Sequence, residues 1–173
     1  MRKINPIAAT LRDLSEADFP TLRTLGETIW HQHYSAIIST AQIDYMLSGR
    51  YAPEKLRVYV GAQDRWLKLL MVEDVTVGYC SYSIYGVVGE LKLEQLYLLA
   101  AFKGKGLGGL MLRHVEAQAR LLGASTIMLT VNKQNVDSIA VYKHAGFTVR
   151  EEAVFDIGHG YVMDDYVMHK FIG

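Results

Sequence analysis

The sequence predicts a mixed α/β (α+β) fold, in which a mostly antiparallel central sheet carries helices on both faces. The first third has apolar residues at helical spacing, the middle has three consecutive strand-like segments, and the last third alternates helices with strands. Closely spaced strands pair antiparallel, whereas a strand–helix–strand segment gives a parallel pair. The 173 residues, half of them apolar, suffice for one domain, predicted over residues 1–173.

The first third begins with a predicted strand over residues 7–11 and continues as helices. Ser15, followed by acidic residues at positions 16 and 18, has the pattern of a helix N-cap. The apolar residues that follow recur at helical spacing: Phe19, Leu22, Leu25, Ile29 and Trp30. A second helix is predicted over residues 41–47, and a third begins near Pro53, because proline suits the first position of a helix.

The middle of the chain contains predicted strands over residues 66–73, 76–85 and 91–99, with turns at Asp74 and at residues 86–89. Side chains alternate between the two faces of a strand. In the third strand this predicts one face made of Leu91, Leu93, Gln95, Tyr97 and Leu99. The other face then carries Lys92, Glu94, Leu96 and Leu98.

The last third supplies the single parallel crossover. A helix over residues 107–122 ends at Gly123 and leads into a buried strand over residues 126–131. A short helix over residues 135–145 is closed by Gly146. Two final strands, residues 147–155 and 161–170, are joined by a turn at residues 158–160.

Composition and charge exclude several classes of protein. The chain has 18 basic and 18 acidic residues, so no excess of positive charge favours a nucleic-acid partner. The one cysteine, Cys80, lies in an apolar run and is predicted to be a core residue in a reducing compartment. The chain has no signal-peptide pattern and no apolar run long enough for a membrane helix, which predicts a cytoplasmic protein without a membrane partner. No metal site is predicted, because His31 and His33 do not share a helix face.

A glycine-rich turn between a strand and a helix is the densest motif. Glycine lets successive backbone N–H groups converge on an anion, and the N-terminus of a helix adds partial positive charge. Two lysines add full charges, so the segment predicts a site for a pyrophosphate, although a turn that only links strand to helix has a similar pattern. Its residues are Lys103, Gly104, Lys105, Gly106, Leu107, Gly108 and Gly109.

Two common phosphate-binding motifs fit this turn poorly. A P-loop requires Gly-Lys-Ser/Thr, which is absent. The dinucleotide fingerprint is formally present as Gly104-x-Gly106-x-x-Gly109, but the next strand ends in residues 130–133 without the acidic residue that holds a ribose. The turn also follows several antiparallel strands, whereas the fingerprint usually opens a doubly wound sheet.

The turn and a second segment together resemble the GNAT superfamily of N-acetyltransferases. The family motif Arg/Gln-x-x-Gly-x-Gly/Ala is matched by Lys103-Gly104-Lys105-Gly106-Leu107-Gly108, with lysine in the place of the usual Arg or Gln. A motif Asn-x-x-Ala-Ile-x-x-Tyr-x-x-x-Gly-Phe is matched from Asn135 to Phe147, with Ser138 where alanine is common. The resemblance covers roughly residues 5 to 170 and implies the GNAT acyl-CoA N-acyltransferase fold.

Further segments are similar to PaiA-type polyamine acetyltransferases within that family. These are residues 27–34, 53–56, 154–158 and 165–168. An acidic cluster in the same region offers either recognition of a polycation or solvated strand edges and turns. Its members are Glu151, Glu152, Asp156, Asp164 and Asp165.

The resemblance implies acetyl-CoA as co-substrate and a role for each matched residue. Leu96, Tyr97 and Leu98 would lie beside the pantetheine arm, with the Leu98 N–H bound to the thioester carbonyl. Asn135 would hydrogen-bond the cofactor arm, assisted by Ser138. Tyr142 would give a proton to the departing thiolate, although a half-buried aromatic that packs the helix on the sheet has the same pattern.

Acetylation of an amine also needs a base, because an aliphatic amine is mostly protonated at neutral pH. Glu94 is the candidate, since a carboxylate on an apolar strand face is unexpected unless it is paired or functional. The resemblance implies the same role, because related polyamine acetyltransferases have a glutamate base at the position of Glu94. A lysine-paired or solvated Glu94 is the alternative, with Glu90 as the second candidate base.

These features predict an enzyme that transfers the acetyl group of acetyl-CoA to a primary amine, with a polyamine or another small amine as partner. Two alternatives stay open at this point: a protein or peptide N-acetyltransferase, and a non-catalytic acyl-CoA binding module. The resemblance also implies a homodimer.

Overall fold

The computed structural model describes residues 7–84 and 86–173, and its centre is a seven-stranded sheet in the order β1-β2-β3-β4-β5-β7-β6. The strands are β1 (Ala9–Asp13), β2 (Arg65–Val72), β3 (Val75–Ser83), β4 (Glu90–Leu98), β5 (Thr126–Asn132), β6 (Thr148–Gly158) and β7 (Tyr161–Phe171). The helices are α1 (Phe19–Tyr34), α2 (Thr40–Arg50), α3 (Pro53–Leu56), α4 (Leu107–Leu121) and α5 (Val136–His144). Residues 1–6 of the predicted domain, and Tyr85 at the end of a predicted strand, lie outside the described residues.

The predicted topology is confirmed. β4 and β5 pair in parallel and are connected through α4, whereas every other pairing in the described sheet is antiparallel. Each predicted helix and strand is present, with ends that differ by a few residues.

The N-terminal helix starts where its capping pattern predicts. Ser15 and Asp18 form a reciprocal capping box, and the Asp18 carboxylate also binds the Arg12 guanidinium at 2.6 Å. The box opens a short 3-10 turn over Glu16–Asp18 that runs directly into α1. The predicted apolar face is buried against the sheet, with Leu22 and Trp30 at most 1% exposed.

Apolar clusters on both faces of the sheet hold the helices in place. On one face α4 and α5 pack through Met111, Val115 and Ile139 onto β4 and β5. On the other face α1 packs onto β2 and β3, with Leu22 and Tyr79 fully buried. Cys80 is buried in the first core, as predicted, and burial raises the pKa of its thiol to about 12.

A β-bulge corrects the predicted faces of β4. Ser81 pairs with Gln95 and Tyr82 with Leu93, so Glu94 is an extra residue without a partner position on β3. The extra residue reverses the alternation of side chains. Leu91 and Leu93 therefore share the α4 face with Leu96 and Leu98, while Tyr97 packs on the α1 face.

The same bulge leaves Glu94 on the face of Lys92, as predicted, but separates it from Leu96 and Leu98. The Ser83 hydroxyl donates a hydrogen bond to the Glu94 carboxylate at 3.0 Å. Ser83 follows Tyr82, whose side chain belongs to the α4 face, so Ser83 and Glu94 lie on the α1 face. The prediction that Glu94 shares a face with Leu96 and Leu98 is therefore wrong.

β4 and β5 separate towards their carboxyl ends. They pair only at Glu90–Thr126, Leu91–Ile127 and Lys92–Met128. Beyond this point β4 stays paired with β3 as far as Leu98, and β5 stays paired with β7 as far as Asn132. A wedge-shaped cleft therefore opens within the sheet, and the sequence motifs converge on it.

Candidate active site

The cleft between β4 and β5 has a volume of about 620 Å³, within the range of small-molecule and cofactor pockets. Its walls come from the carboxyl ends of both strands, the N-terminal ends of α4 and α5, and α1 and α2. β6 and β7 close one side through Phe155, Ile157, Met163 and Asp165.

The glycine turn forms one end of the cleft. Gly104 and Gly106 have φ angles of +75° and +79°, a backbone conformation that other residues rarely adopt. Gly106 precedes α4, so the free N–H groups of the first helical turn meet the cleft there. A Cβ built on Gly104, Gly106 or Gly108 would meet no atom within 4 Å, which leaves space for a ligand close to the backbone.

Six of the seven predicted phosphate-binding residues line the cleft, and Lys105 does not. Those that line the cleft are Lys103, Gly104, Gly106, Leu107, Gly108 and Gly109. The Lys105 ammonium lies 5.5 Å from the ring centroid of Phe102, and Lys105 does not line the cleft. Its contact with a phosphate stays a prediction.

The edge of β4 that faces the cleft offers backbone groups to a ligand. Leu96, Tyr97 and Leu98 all line the cleft. The Leu99 N–H donates to the Val77 carbonyl at 2.9 Å, towards β3. Because successive N–H groups of a strand alternate in direction, the Leu98 N–H points away from β3, to the cleft side.

Glu94 lines the cleft from the bulge in β4, with its side chain 21% exposed. Besides its hydrogen bond from Ser83, its carboxylate lies 3.5 Å from the Lys92 ammonium. Glu90, the second candidate base, is bound to Arg150 at 2.8 Å and does not line the cleft. The structure thus places one of the two glutamates at the site.

Tyr142 enters the cleft from α5. It is 9% exposed and packs edge-on against Phe147 at 5.9 Å between ring centroids. Burial raises the pKa of its phenol, so the hydroxyl stays protonated at neutral pH and is able to donate a proton or a hydrogen bond.

Asn135 is the N-cap of α5 and is bound to a residue that sequence reasoning missed. Its side-chain oxygen accepts from the Ser138 N–H at 3.3 Å, and its amide nitrogen lies 2.8 Å from Nε2 of His33. Burial and the charge of Lys103 lower the pKa of His33, so the neutral ring accepts this hydrogen bond. Ser138 also lines the cleft.

An aromatic wall also lines the cleft, and of its members sequence reasoning named only Tyr97 as a site residue. The ring centroid of Trp30 in α1 lies 4.8 Å from that of Tyr34 and 5.7 Å from that of Tyr97 in β4. The Tyr34 and Tyr97 hydroxyl oxygens are hydrogen-bonded at 3.1 Å. The Arg50 guanidinium lies 5.0 Å from the Trp30 ring. Helical spacing predicted only that Trp30 faces inward, not that it borders a cavity.

The acidic cluster divides between the cleft and the outer surface. Of its five members only Asp165 lines the cleft. Asp164 and Glu152 are bound to Lys133 at 2.8 and 3.0 Å, and Asp156 accepts from the Gly158 N–H. The sequence pattern could not separate these roles, because all five lie on the last two strands.

Comparisons with known proteins agree with this geometry. Residues 27–147, more than half of the chain, match the model of the acetyltransferase (GNAT) family. A spermidine N(1)-acetyltransferase of Thermoplasma acidophilum is 25% identical over 145 residues, which cover 82% of this chain and 89% of the relative.

Solved structures share the fold over nearly the whole chain. The PaiA N-acetyltransferase from Thermoplasma acidophilum, solved in complex with coenzyme A, has a TM-score of 0.81 at 24% identity and covers 95% of this chain and 99% of its own. A GCN5-related N-acetyltransferase from Rhodopseudomonas palustris has a TM-score of 0.79 at 15% identity, with 97% and 98% covered.

The chain belongs to the GNAT acetyltransferase family. It is an acetyltransferase that uses acetyl-CoA as co-substrate. Among residues 7–84 and 86–173, no three or more His, Cys, Asp or Glu side chains are grouped as a metal ion would require. Over the same residues, no helix has both the length and the apolar character needed to cross a membrane.

Proposed function

We propose that this enzyme acetylates a primary amine of a polyamine or another small amine, with Glu94 as base and Tyr142 as acid. One observation carries the proposal: a single cleft brings together Glu94, Tyr142 and the open edge of β4. The similarity to a spermidine N(1)-acetyltransferase supports a polyamine as the acceptor.

In this proposal the glycine turn binds the diphosphate of coenzyme A. The backbone N–H groups of residues 104–109 and the start of α4 donate to the phosphate oxygens, and Lys103 and Lys105 supply positive charge. Asn135 and Ser138 hydrogen-bond the pantetheine arm. This arm lies along Leu96, Tyr97 and Leu98 in the place that a neighbouring strand would occupy.

In the reaction itself, two side chains transfer protons and one backbone N–H stabilises the oxyanion. Glu94, directly or through a water molecule, takes a proton from the ammonium, and the free amine attacks the thioester carbon. The Leu98 N–H stabilises the oxyanion while the new C–N bond forms. When the C–S bond breaks, Tyr142 donates its proton to the thiolate of coenzyme A. The attacking nitrogen then loses its second proton, which restores the Tyr142 hydroxyl, and Glu94 releases the first proton to solvent, so the products are a neutral amide and a free thiol.

The acceptor region of the cleft suits a cationic, flexible amine. Tyr34 and Tyr97 present ring surfaces that attract an ammonium group and pack against methylenes. Glu94 and Asp165 supply negative charge in the same cleft. Arg50 borders the Trp30 ring and disfavours a cation at that position, which directs the ammonium groups towards the carboxylates.

A thiol-release screen with acetyl-CoA tests this function. We expect spermidine and related polyamines to give the highest kcat/KM when compared with amino acids and with peptides that carry a lysine or a free N-terminus. A preference for peptides would contradict a small-amine acceptor. Binding of acetyl-CoA without thiol release with any amine would support the non-catalytic alternative.

A further inference from the structure

We propose that Asp165 binds a second ammonium group of the acceptor, so that the enzyme selects diamines and polyamines over monoamines. The inference rests on the proposed function and adds a residue that determines specificity within the same cleft. Asp165 lies on β7, opposite Asn132 of β5, and its side chain lines the cleft.

The buried carboxylate of Asp165 is not fully hydrogen-bonded within the part of the chain that the structure describes. The residue is 6% exposed, and its Oδ1 atom is buried without a hydrogen-bond partner among residues 7–84 and 86–173. Most buried carboxylates are paired, because an unpaired charge away from water is costly. A carboxylate of this kind that lines a ligand cleft therefore indicates a cationic ligand.

The charged neighbours of Asp165 do not neutralise it. Lys133 is the nearby cation, but its ammonium is already bound to Asp164 and Glu152, at 2.8 and 3.0 Å. Burial and the charge of Asp164 raise the pKa of Asp165 to about 6, against a smaller opposing effect of Lys133. The group is thus mostly ionised at neutral pH, and an ammonium ligand would stabilise that charge.

The position of Asp165 relative to Glu94 sets the shape of the acceptor. Glu94 is on β4 and Asp165 on β7, with β5 between them. With strands about 4.8 Å apart, their backbones lie at least roughly 10 Å apart, and more where β4 and β5 diverge. Both side chains reach into the cleft, so one acceptor with nitrogens joined by a few methylenes could meet both carboxylates.

Steady-state kinetics with matched amines test the inference. We compare putrescine and spermidine with butylamine, which has the same four-carbon chain as putrescine but one amine, in wild type and in Asp165→Asn. A charge-assisted contact is worth a factor of roughly 10 to 100 in affinity. The ratio of kcat/KM for putrescine to kcat/KM for butylamine should fall by about that factor in the variant, chiefly through KM.

The matched control is Asp164→Asn, which removes one negative charge from the adjacent position outside the cleft. We expect its putrescine-to-butylamine ratio to stay within about threefold of wild type, because an exposed charge is screened and Lys133 keeps Glu152 as a partner. Asp165→Ala, measured alongside, gives the same test if the asparagine variant does not fold.

The outcomes separate the two proposals. A wild type that acetylates amines, with a ratio that Asp165→Asn leaves unchanged, would overturn the role of Asp165 alone. An equal loss with putrescine and butylamine would also overturn it, since Asp165 would then act on the reacting amine or on the fold. A wild type that acetylates none of these amines would overturn the small-amine function and this inference with it.

Discussion

At the scale of single residues, the two proposed catalytic groups depend on different physical properties. Tyr142 is buried and its pKa is raised, so its proton is available throughout the neutral range. Glu94 is more exposed and is held by Ser83 at the bulge, where an incoming amine can reach it. A protonated acid and an accessible carboxylate in one cleft are what a transfer from thioester to amine requires.

We predict that Tyr142→Phe lowers kcat by about 100-fold, because the thiolate would leave without a proton donor. The phenyl ring keeps its packing against Phe147. Thermal melting of the variant should therefore match that of wild type, and calorimetry should give the same affinity for acetyl-CoA. An unchanged kcat would show that Tyr142 is a packing residue.

We predict a similar loss of roughly 100-fold in kcat for Glu94→Gln, since the amide cannot accept the ammonium proton. Glu90→Gln is the matched control, because Glu90 is on the same strand but is bound to Arg150 away from the cleft. Initial rates of thiol release compare the two. Equal rates for both variants would remove Glu94 from the mechanism.

Asp165 should lower the stability of the folded protein at neutral pH. Its pKa is raised from 3.8 to about 6 on folding, so the folded state binds the proton more tightly than the unfolded state does. The free energy of unfolding contributed by this group is therefore greatest below pH 4 and decreases as the pH rises through 6.

It follows that Asp165→Asn should be more stable than wild type at pH 7.5, by on the order of 2 kcal/mol. The difference should shrink as the pH is lowered towards 4. Urea denaturation at several pH values measures it. A variant that is no more stable than wild type at pH 7.5 would show that the carboxylate is already compensated within the protein.

At the scale of secondary-structure elements, patterns within a few neighbouring residues predict most of the fold. Pairing between strands distant in the sequence determines the details of the site. The capping box at Ser15 and the stop at Gly123 act over a few residues, so the sequence predicts α1 and α4 closely. The bulge at Glu94 depends on the register between β3 and β4, which no local pattern encodes. Strict alternation consequently grouped Glu94 with Leu96 and Leu98, which lie on the opposite face.

The start of α4 can be tested with one added methyl group. Gly108→Ala should raise the melting temperature slightly, because alanine favours a helix by about 0.5–1 kcal/mol over glycine and the new Cβ meets no protein atom within 4 Å. The same methyl group would occupy ligand space in the cleft, so the affinity for coenzyme A should fall by about tenfold or more.

Gly49→Ala in α2 is the matched control. Its Cβ also meets no atom within 4 Å, but Gly49 does not line the cleft between β4 and β5. Gly49→Ala should be as stable as Gly108→Ala, and it should bind coenzyme A with the affinity of wild type. Equal affinities for Gly108→Ala and Gly49→Ala would place the phosphates elsewhere.

At the scale of the whole molecule, the site is assembled from distant parts of the chain. His33 of α1 and Asn135 before α5 are 102 positions apart, yet their hydrogen bond joins two walls of the cleft. Trp30 and Tyr34 of α1 and Asp165 of β7 likewise come from elements at opposite ends of the sequence. Sequence reasoning identified the motif residues because each motif is local. It missed His33, Trp30 and Tyr34 as site residues, and it could not separate Asp165 from the rest of the acidic cluster, because only the folded sheet brings these residues to the cleft.

The separation of β4 and β5 is the whole-molecule feature on which binding depends. It leaves the cleft edge of β4 beyond Lys92 without a partner strand, next to the glycine turn. The homodimer and the cytoplasmic location stay predictions from the sequence.

A calorimetric titration of the folded protein with coenzyme A, at low and at high salt, tests the binding cleft most directly. We predict one site per chain with a dissociation constant in the micromolar range, and a weaker affinity at high salt because the diphosphate is held partly by charge. No heat of binding from a folded sample at either salt concentration would contradict the assignment of the cleft to coenzyme A.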